Sequence, residues 1–110
     1  MAFDEDLAAR VRELFERQKG AVEKKMFGGV CWMLHGNICV GVWKDSLIAR
    51  VGAADTAAAL DEPHTRPFDI TGKAMTGWVL VDPAGVDSDD DLAAWVRRSV
   101  DFVMTLPAKG

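Results

Sequence analysis

The sequence predicts one domain of mixed helices and strands in the order α-β-β-β-α-β-β-α, and three observations carry that order. Apolar residues recur at helical spacing near both ends of the chain. The middle holds short, nearly continuous apolar runs separated by glycine-containing turns. Two prolines, Pro63 and Pro67, interrupt the second half, removing backbone donors and restricting the residues before them.

Residues 4–19 form the first helix. Leu7, Val11, Leu14 and Phe15 make its apolar face, Asp4 is its N-cap, Glu5 and Asp6 suit its positive end, and Gly20 is its stop. Beyond Met26-Phe27-Gly28-Gly29 the period changes. Val30–Leu34 and Ile38–Trp43 read as two strands of a hairpin, with a two-residue turn at Gly36-Asn37 or a three-residue turn at His35-Gly36-Asn37. Neither strand alternates polar with apolar, so both faces of this part of the sheet should be covered, by helices or by another subunit.

Lys44-Asp45-Ser46 is the next turn and Leu47–Val51 the third strand. Ala54–Leu60 reads as a short helix, 61–67 as an extended loop, Phe68–Ile70 as a short edge strand and Trp78–Val81 as a clear apolar strand. Asp82-Pro83-Ala84-Gly85 has the residues of a turn. The last helix spans roughly Asp89–Thr105, capped by Ser88, with Leu92, Trp95, Val96, Ser99, Val100 and Val103 on one face. No internal repeat, linker or second domain interrupts residues 1–110.

At 110 residues, with 49% apolar and 27% charged side chains, the chain can bury roughly two-thirds of its unfolded surface and needs no disulfide or metal to fold. Net charge is −4, and the acidic excess lies in the C-terminal half. That balance counts against a protein held to nucleic acid mainly through phosphates. Residues 1–20 are charged throughout, with no apolar run long enough for a signal peptide or membrane span, so the expectation is a cytoplasmic protein with no membrane partner. Cys31 and Cys39 are expected as buried thiols. On a Gly36-Asn37 turn they lie on opposite sheet faces, and on the three-residue turn they sit diagonally on one face in poor disulfide geometry.

Chemistry-bearing constellations are weak. Cys31, His35, Cys39 and His64 supply zinc-ligand types, but the cysteines are eight apart within apolar strands and form no knuckle. Asp87-Ser88-Asp89-Asp90-Asp91 lacks calcium-loop spacing and reads as helix capping. Gly28-Gly29 leads into a strand, so it offers no helix-end amides to a phosphate and reads as a bulge or a close backbone approach. With no Tyr and no Gly-x-Ser-x-Gly turn, hydrolase templates do not match. No catalytic residue, metal ligand or cofactor is assigned. Lys24, Lys25, Arg50, Arg66 and Lys73 with Trp78 are the candidate binding residues, as an anion or single-strand face, and a solvated surface is the competing reading. The four tryptophans sit in apolar runs and read mostly as core.

The pattern Met26-Phe27-Gly28-Gly29, Gly36-Asn37, Gly41-Val42, Asp45, Leu47 and Arg50-Val51, followed by the block from Glu62 to Trp78, resembles the N-terminal domain of the TfoX/Sxy competence regulators. The resemblance spans nearly the whole chain. It implies an α+β fold with an antiparallel sheet, here of about five strands, flanked by the N- and C-terminal helices. Full-length relatives promote transcription of DNA-uptake genes together with the cyclic-AMP receptor protein and carry a second, helical C-terminal domain. This chain is expected to be a stand-alone member without it. The expected function is a small regulatory or protein-interaction module, a homodimer, with the transcription machinery as the partner that the resemblance implies. A nucleic-acid-binding domain is the alternative, and a thiol-dependent enzyme built on Cys31 or Cys39 ranks below both.

Overall fold

A computed structural model describes residues 3–26, 28–69 and 72–108. Helix α1 runs Glu5–Phe15, with the Leu7 amide donating to Asp4 Oδ1 at 3.1 Å, as the cap pattern requires. Four strands follow, β1 Ala21–Met26, β2 Gly29–Leu34, β3 Asn37–Trp43 and β4 Ser46–Arg50. A 3₁₀ turn at Ala53–Asp55 leads into the short helix α2, Thr56–Leu60. Strands β5, Thr65–Pro67, and β6, Trp78–Val81, precede a 3₁₀ turn at Pro83–Gly85 and the long helix α3, Asp89–Val103. The Asp91 amide donates to Ser88 Oγ at 3.0 Å, so the last helix is capped as read.

Among the described residues the sheet has six strands in the order β1-β2-β3-β4-β6-β5, and each neighbouring pair is antiparallel. The predicted α+β class and flanking helices hold. The strand count does not, because β1 was not expected as a strand. Its sequence, Ala-Val-Glu-Lys-Lys-Met, carries three charges in six residues, yet it pairs in register with β2 from Ala21 opposite Leu34 to Met26 opposite Gly29. An edge strand is paired on one side alone, so its outward charges are tolerated and its apolar signal is faint.

The second difference lies in the segment around the prolines. The edge strand is Thr65–Pro67, within the predicted loop, and Phe68 turns inward to pack. Pro67 is tolerated because an edge strand needs donors on one side only. Ile70, the end of the predicted strand, lies outside the described residues. The hairpin turn also shifts by one residue. His35 (φ 51°) and Gly36 (φ 85°) make a two-residue turn and Leu34 pairs with Asn37, which opens β3 instead of sitting in the turn. Positive φ at both turn residues suits the right-handed strand twist, and His is among the non-glycine residues that reach this region. The ladder then slips between Trp32/Met33, so that Trp32 faces Val40 while Met33 faces Ile38. Helix α1 ends four residues earlier than the spacing predicts, at Phe15.

All three helices share one face of the sheet. Leu7, Val11 and Phe15 of α1, Leu92, Trp95, Val96 and Val103 of α3 and Ala59 of α2 pack on Val30, Trp32, Leu34, Val40, Val42, Leu47, Ala49, Val79 and Val81. Phe15 stacks on Trp32 with ring centroids 6.1 Å apart. Burying each large apolar side chain contributes roughly 1.5–3 kcal/mol, so this layer supplies most of the fold's stability. At the other end of the chain, Asn37 Nδ2 donates to the Pro107 carbonyl at 3.0 Å, tying the segment after α3 to the start of β3.

Candidate interaction surface

The face away from the helices follows from strand alternation. Ladder partners run straight across the sheet: Lys24 on β1, Cys31 on β2, Gly41 on β3, Ile48 on β4, Leu80 on β6 and Arg66 on β5 form one row. A cation therefore stands at each end of a row about 24 Å long, taking about 4.8 Å between strands. The middle is apolar and tight. A Cβ on Gly41 would lie 3.0 Å from Cys31 Sγ, so glycine there lets the thiol pack.

A second, smaller core closes the centre of this face. Ile48, Leu80 and Phe68 are buried together, with Trp43 and Trp78 half-buried against them. Phe68 reaches the sheet because the loop after β5 folds back, the Met75 amide donating to the Phe68 carbonyl at 3.0 Å. The sequence expectation that both faces are covered thus resolves unequally. Helices cover one face, and one loop with two indoles covers the centre of the other. Toward the hairpin end Val22, Met33 and Ile38 form an apolar row across β1, β2 and β3, with Val22 57% exposed.

Of the candidate binding residues, Arg50 and Trp78 meet. The Arg50 guanidinium lies 5.0 Å from the Trp78 ring centroid and 5.9 Å from that of Phe102, and its Nη1 donates to the Ile38 carbonyl at 3.2 Å. Phe68 lies against Trp78 as well, with centroids 5.8 Å apart, so this indole is already engaged by its neighbours. Arg66 donates through Nε to Asp82 Oδ1 at 2.7 Å and through Nη2 to Ser46 Oγ at 3.2 Å. Lys73 sits exposed in the loop before β6. Lys25 is set apart: it lies on β1 with the parity of Glu23, which bonds Arg12 of α1, so it belongs to the helix side. Lys24 takes the opposite parity and stays on the sheet face. Sequence reasoning missed Lys44, whose ammonium lies 4.7 Å from the Trp43 centroid; the adjacent Trp-Lys pair was the available signal.

Other titratable groups are placed as follows. Cys31 and Cys39 are both buried and unbridged. Burial pushes the Cys31 thiol up to about 11 and the Cys39 thiol up to about 12, the latter despite the nearby Arg50 charge. Thiolate is the nucleophilic form, so burial holds both sulfurs in the unreactive state. His35 is in the hairpin turn and His64 precedes β5. Among the described residues no three His, Cys, Asp or Glu side chains gather at metal-binding distance. The Arg12 hydrogen bond holds Glu23 below its ordinary value. Gly29 is a close backbone approach, since a Cβ there would run into the Val42 carbonyl oxygen. Between α1 and α3 a cleft of about 460 Å³ is lined by Arg10, Leu14, Arg17 and Leu92, and Arg10 spans it to Asp89 at 3.1 Å. Among the described residues no helix is long and apolar enough to cross a membrane.

Residues 13–103 match the TfoX N-terminal domain family. The chain belongs to this family. The match runs from the last turn of α1 to the end of α3, and so takes in all six described strands and the second core of the TfoX N-terminal domain. No curated protein and no solved structure matches it.

Proposed function

We propose that this TfoX N-terminal domain is a regulatory module of the competence and transcription class, that it works by protein contact and without a catalytic centre, and that it does so as a homodimer. The observation that carries the dimer is the apolar row Val22, Met33 and Ile38, which reaches the unpaired edge of β1 and leaves Val22 57% exposed. Scattered apolar side chains are normal on a surface, whereas a row running on across three strands favours an interface. The domain measures 32 × 30 × 27 Å, so one of its faces has the extent to supply the roughly 800 Å² per partner that a stable pair needs. Two neutral, buried thiols support the non-catalytic side of the reading, because the nucleophile a thiol enzyme needs is suppressed at both positions.

Sedimentation velocity over a micromolar concentration series tests the dimer. The expected result is a concentration-dependent dimer that Val22→Glu converts to monomer, with the thermal transition retained, because the exposed side chain adds nothing to the fold. A monomer throughout the series removes the reading.

A further inference from the structure

The two sides of the molecule carry opposite charge. Helices α1 and α3 with their flanking residues hold Asp4, Glu5, Asp6, Glu13, Glu16, Asp87, Asp89, Asp90, Asp91 and Asp101 against Arg10, Arg12, Arg17, Lys19, Arg97 and Arg98. The sheet face holds Lys24, Lys44, Arg50 and Arg66 against Asp45 and Asp82, while Lys73 and Asp69 cancel in the loop. A chain with a net charge of −4 therefore concentrates cations on one flat face. Indoles and cations interleave there. Trp43 lies beneath Lys44, Trp78 beneath Arg50, and Arg66 stands at the far end of the row from Lys24.

From this charge complementarity and the placement of Trp43 beneath a displaceable lysine, we propose that the sheet face binds single-stranded nucleic acid. A strand of phosphates running across the sheet meets Lys24 and Arg66 at the two ends of the row, with the aromatic patch between them. Arg66 keeps donors for a phosphate, since a guanidinium has five N–H groups and the Asp82 and Ser46 bonds use two. Trp78 is held by Phe68 and Arg50, so it serves as a fixed wall. Trp43 is the stacking residue. Lys44 is exposed on a flexible stem, and an exposed cation over a ring is held more weakly than a stacked base, so the ammonium moves to a phosphate and yields the indole. A duplex presents its bases already stacked and leaves Trp43 nothing to bind. An acidic peptide matches the charge but offers no base. The Val22 row is the neighbouring row of this same face, so sedimentation of each variant alongside the titration separates loss of dimerisation from loss of this binding.

The test is titration of the purified chain with labelled oligothymidylate and oligouridylate of about 12 nucleotides, a duplex of the same length and polyglutamate, starting near 50 mM salt. The expected result is that a single strand quenches tryptophan fluorescence and binds more tightly than either control. Its affinity should fall as salt rises, and the better of the two single strands names DNA or RNA. Lys24→Glu and Lys44→Glu should each weaken binding severalfold and lower the salt slope by about 0.7 per contact removed. Both positions are exposed, so folding is not at stake. Arg17→Glu, on the helix side, should leave the affinity unchanged. Absence of binding near 50 mM salt overturns the proposal, and so does equal binding of the duplex or of polyglutamate. Unchanged affinity in Lys44→Glu, or equal weakening by Arg17→Glu, does the same.

Discussion

Gly52→Ala is the substitution whose cost the structure specifies most closely. Gly52 follows β4 at φ +88°, and its amide and that of Val51 both donate to the Gly77 carbonyl, at 3.1 and 2.8 Å. A Cβ at this position would press into the Phe102 ring, with Cδ1 at 2.7 Å and Cζ at 3.0 Å. Two penalties add. An L-residue at φ 88° and ψ 153°, a conformation essentially restricted to glycine, costs roughly 1–3 kcal/mol, and overpacking against an aromatic ring roughly 1–3 kcal/mol more. Gly77 is the internal control. Its φ is +96°, but the nearest atoms to its Cβ lie 3.5 Å away, an ordinary contact, so Gly77→Ala incurs the backbone penalty alone. Urea titration of both variants should show Gly52→Ala losing about 2–6 kcal/mol and Gly77→Ala about 1–2 kcal/mol. For a domain of this size about 1 kcal/mol shifts the melting midpoint by roughly 4 °C, so the melts separate clearly. In a Phe102→Ala background the Gly52→Ala cost should fall toward that of Gly77→Ala, a coupling that a double-mutant cycle reads directly. Equal costs for the two glycines, or no coupling to Phe102, refute the reasoning.

Ser99 is fully buried in α3 and its Oγ has no hydrogen-bond partner among the described residues. An unpartnered buried hydroxyl carries a desolvation penalty of roughly 1–3 kcal/mol, so Ser99→Ala should raise the melting midpoint by a few degrees; a lower midpoint would show that the hydroxyl is satisfied. The thiols give a pH prediction. Their folded values lie at about 11 and about 12 against an ordinary 9.0, so they bind protons in the folded state after the unfolded chain has released them. Their contribution is fully present below pH 9.0 and lost as the pH rises through about 11 for Cys31 and about 12 for Cys39, seen as a falling urea midpoint on the alkaline side. At neutral pH a disulfide reagent should label Cys31 and Cys39 only as fast as the fold opens, and burst labelling of either sulfur would contradict the burial.

The caps at Asp4 and Ser88 and the apolar faces of α1 and α3 were legible because helix signals are local: a side chain and the amide it satisfies lie within one turn. The central strands were legible through their continuous apolar runs. Strand β1 was not, because its pairing partner is set by the ladder with β2 and its own residues look like a solvated segment. The same distinction applies to the surface. Residue type alone groups Lys24, Lys25, Arg50, Arg66 and Lys73 with Trp78 as one patch. The contacts of Arg50 and Trp78, the anchoring of Arg66 to Asp82 and the exclusion of Lys25 required the strand order and parity. Lys44 entered only once its ammonium was seen over Trp43.

The amino-acid sequence by itself determined the three helices and the central strands in their order, the capped starts of α1 and α3, the burial of both cysteines and the family, since all of these follow from spacing and residue type along the chain. Tertiary structure alone decided that the three helices share one face, that the sixth strand exists, and that Phe68, Trp43 and Trp78 close the centre of the other face. It also decided that cations gather there while carboxylates line the helices. The physical reason is that strand alternation assigns each residue to a face only after register is set. Register depends on partners far away in the chain, and in β3 a single slipped residue moved the pairing that local pattern implied.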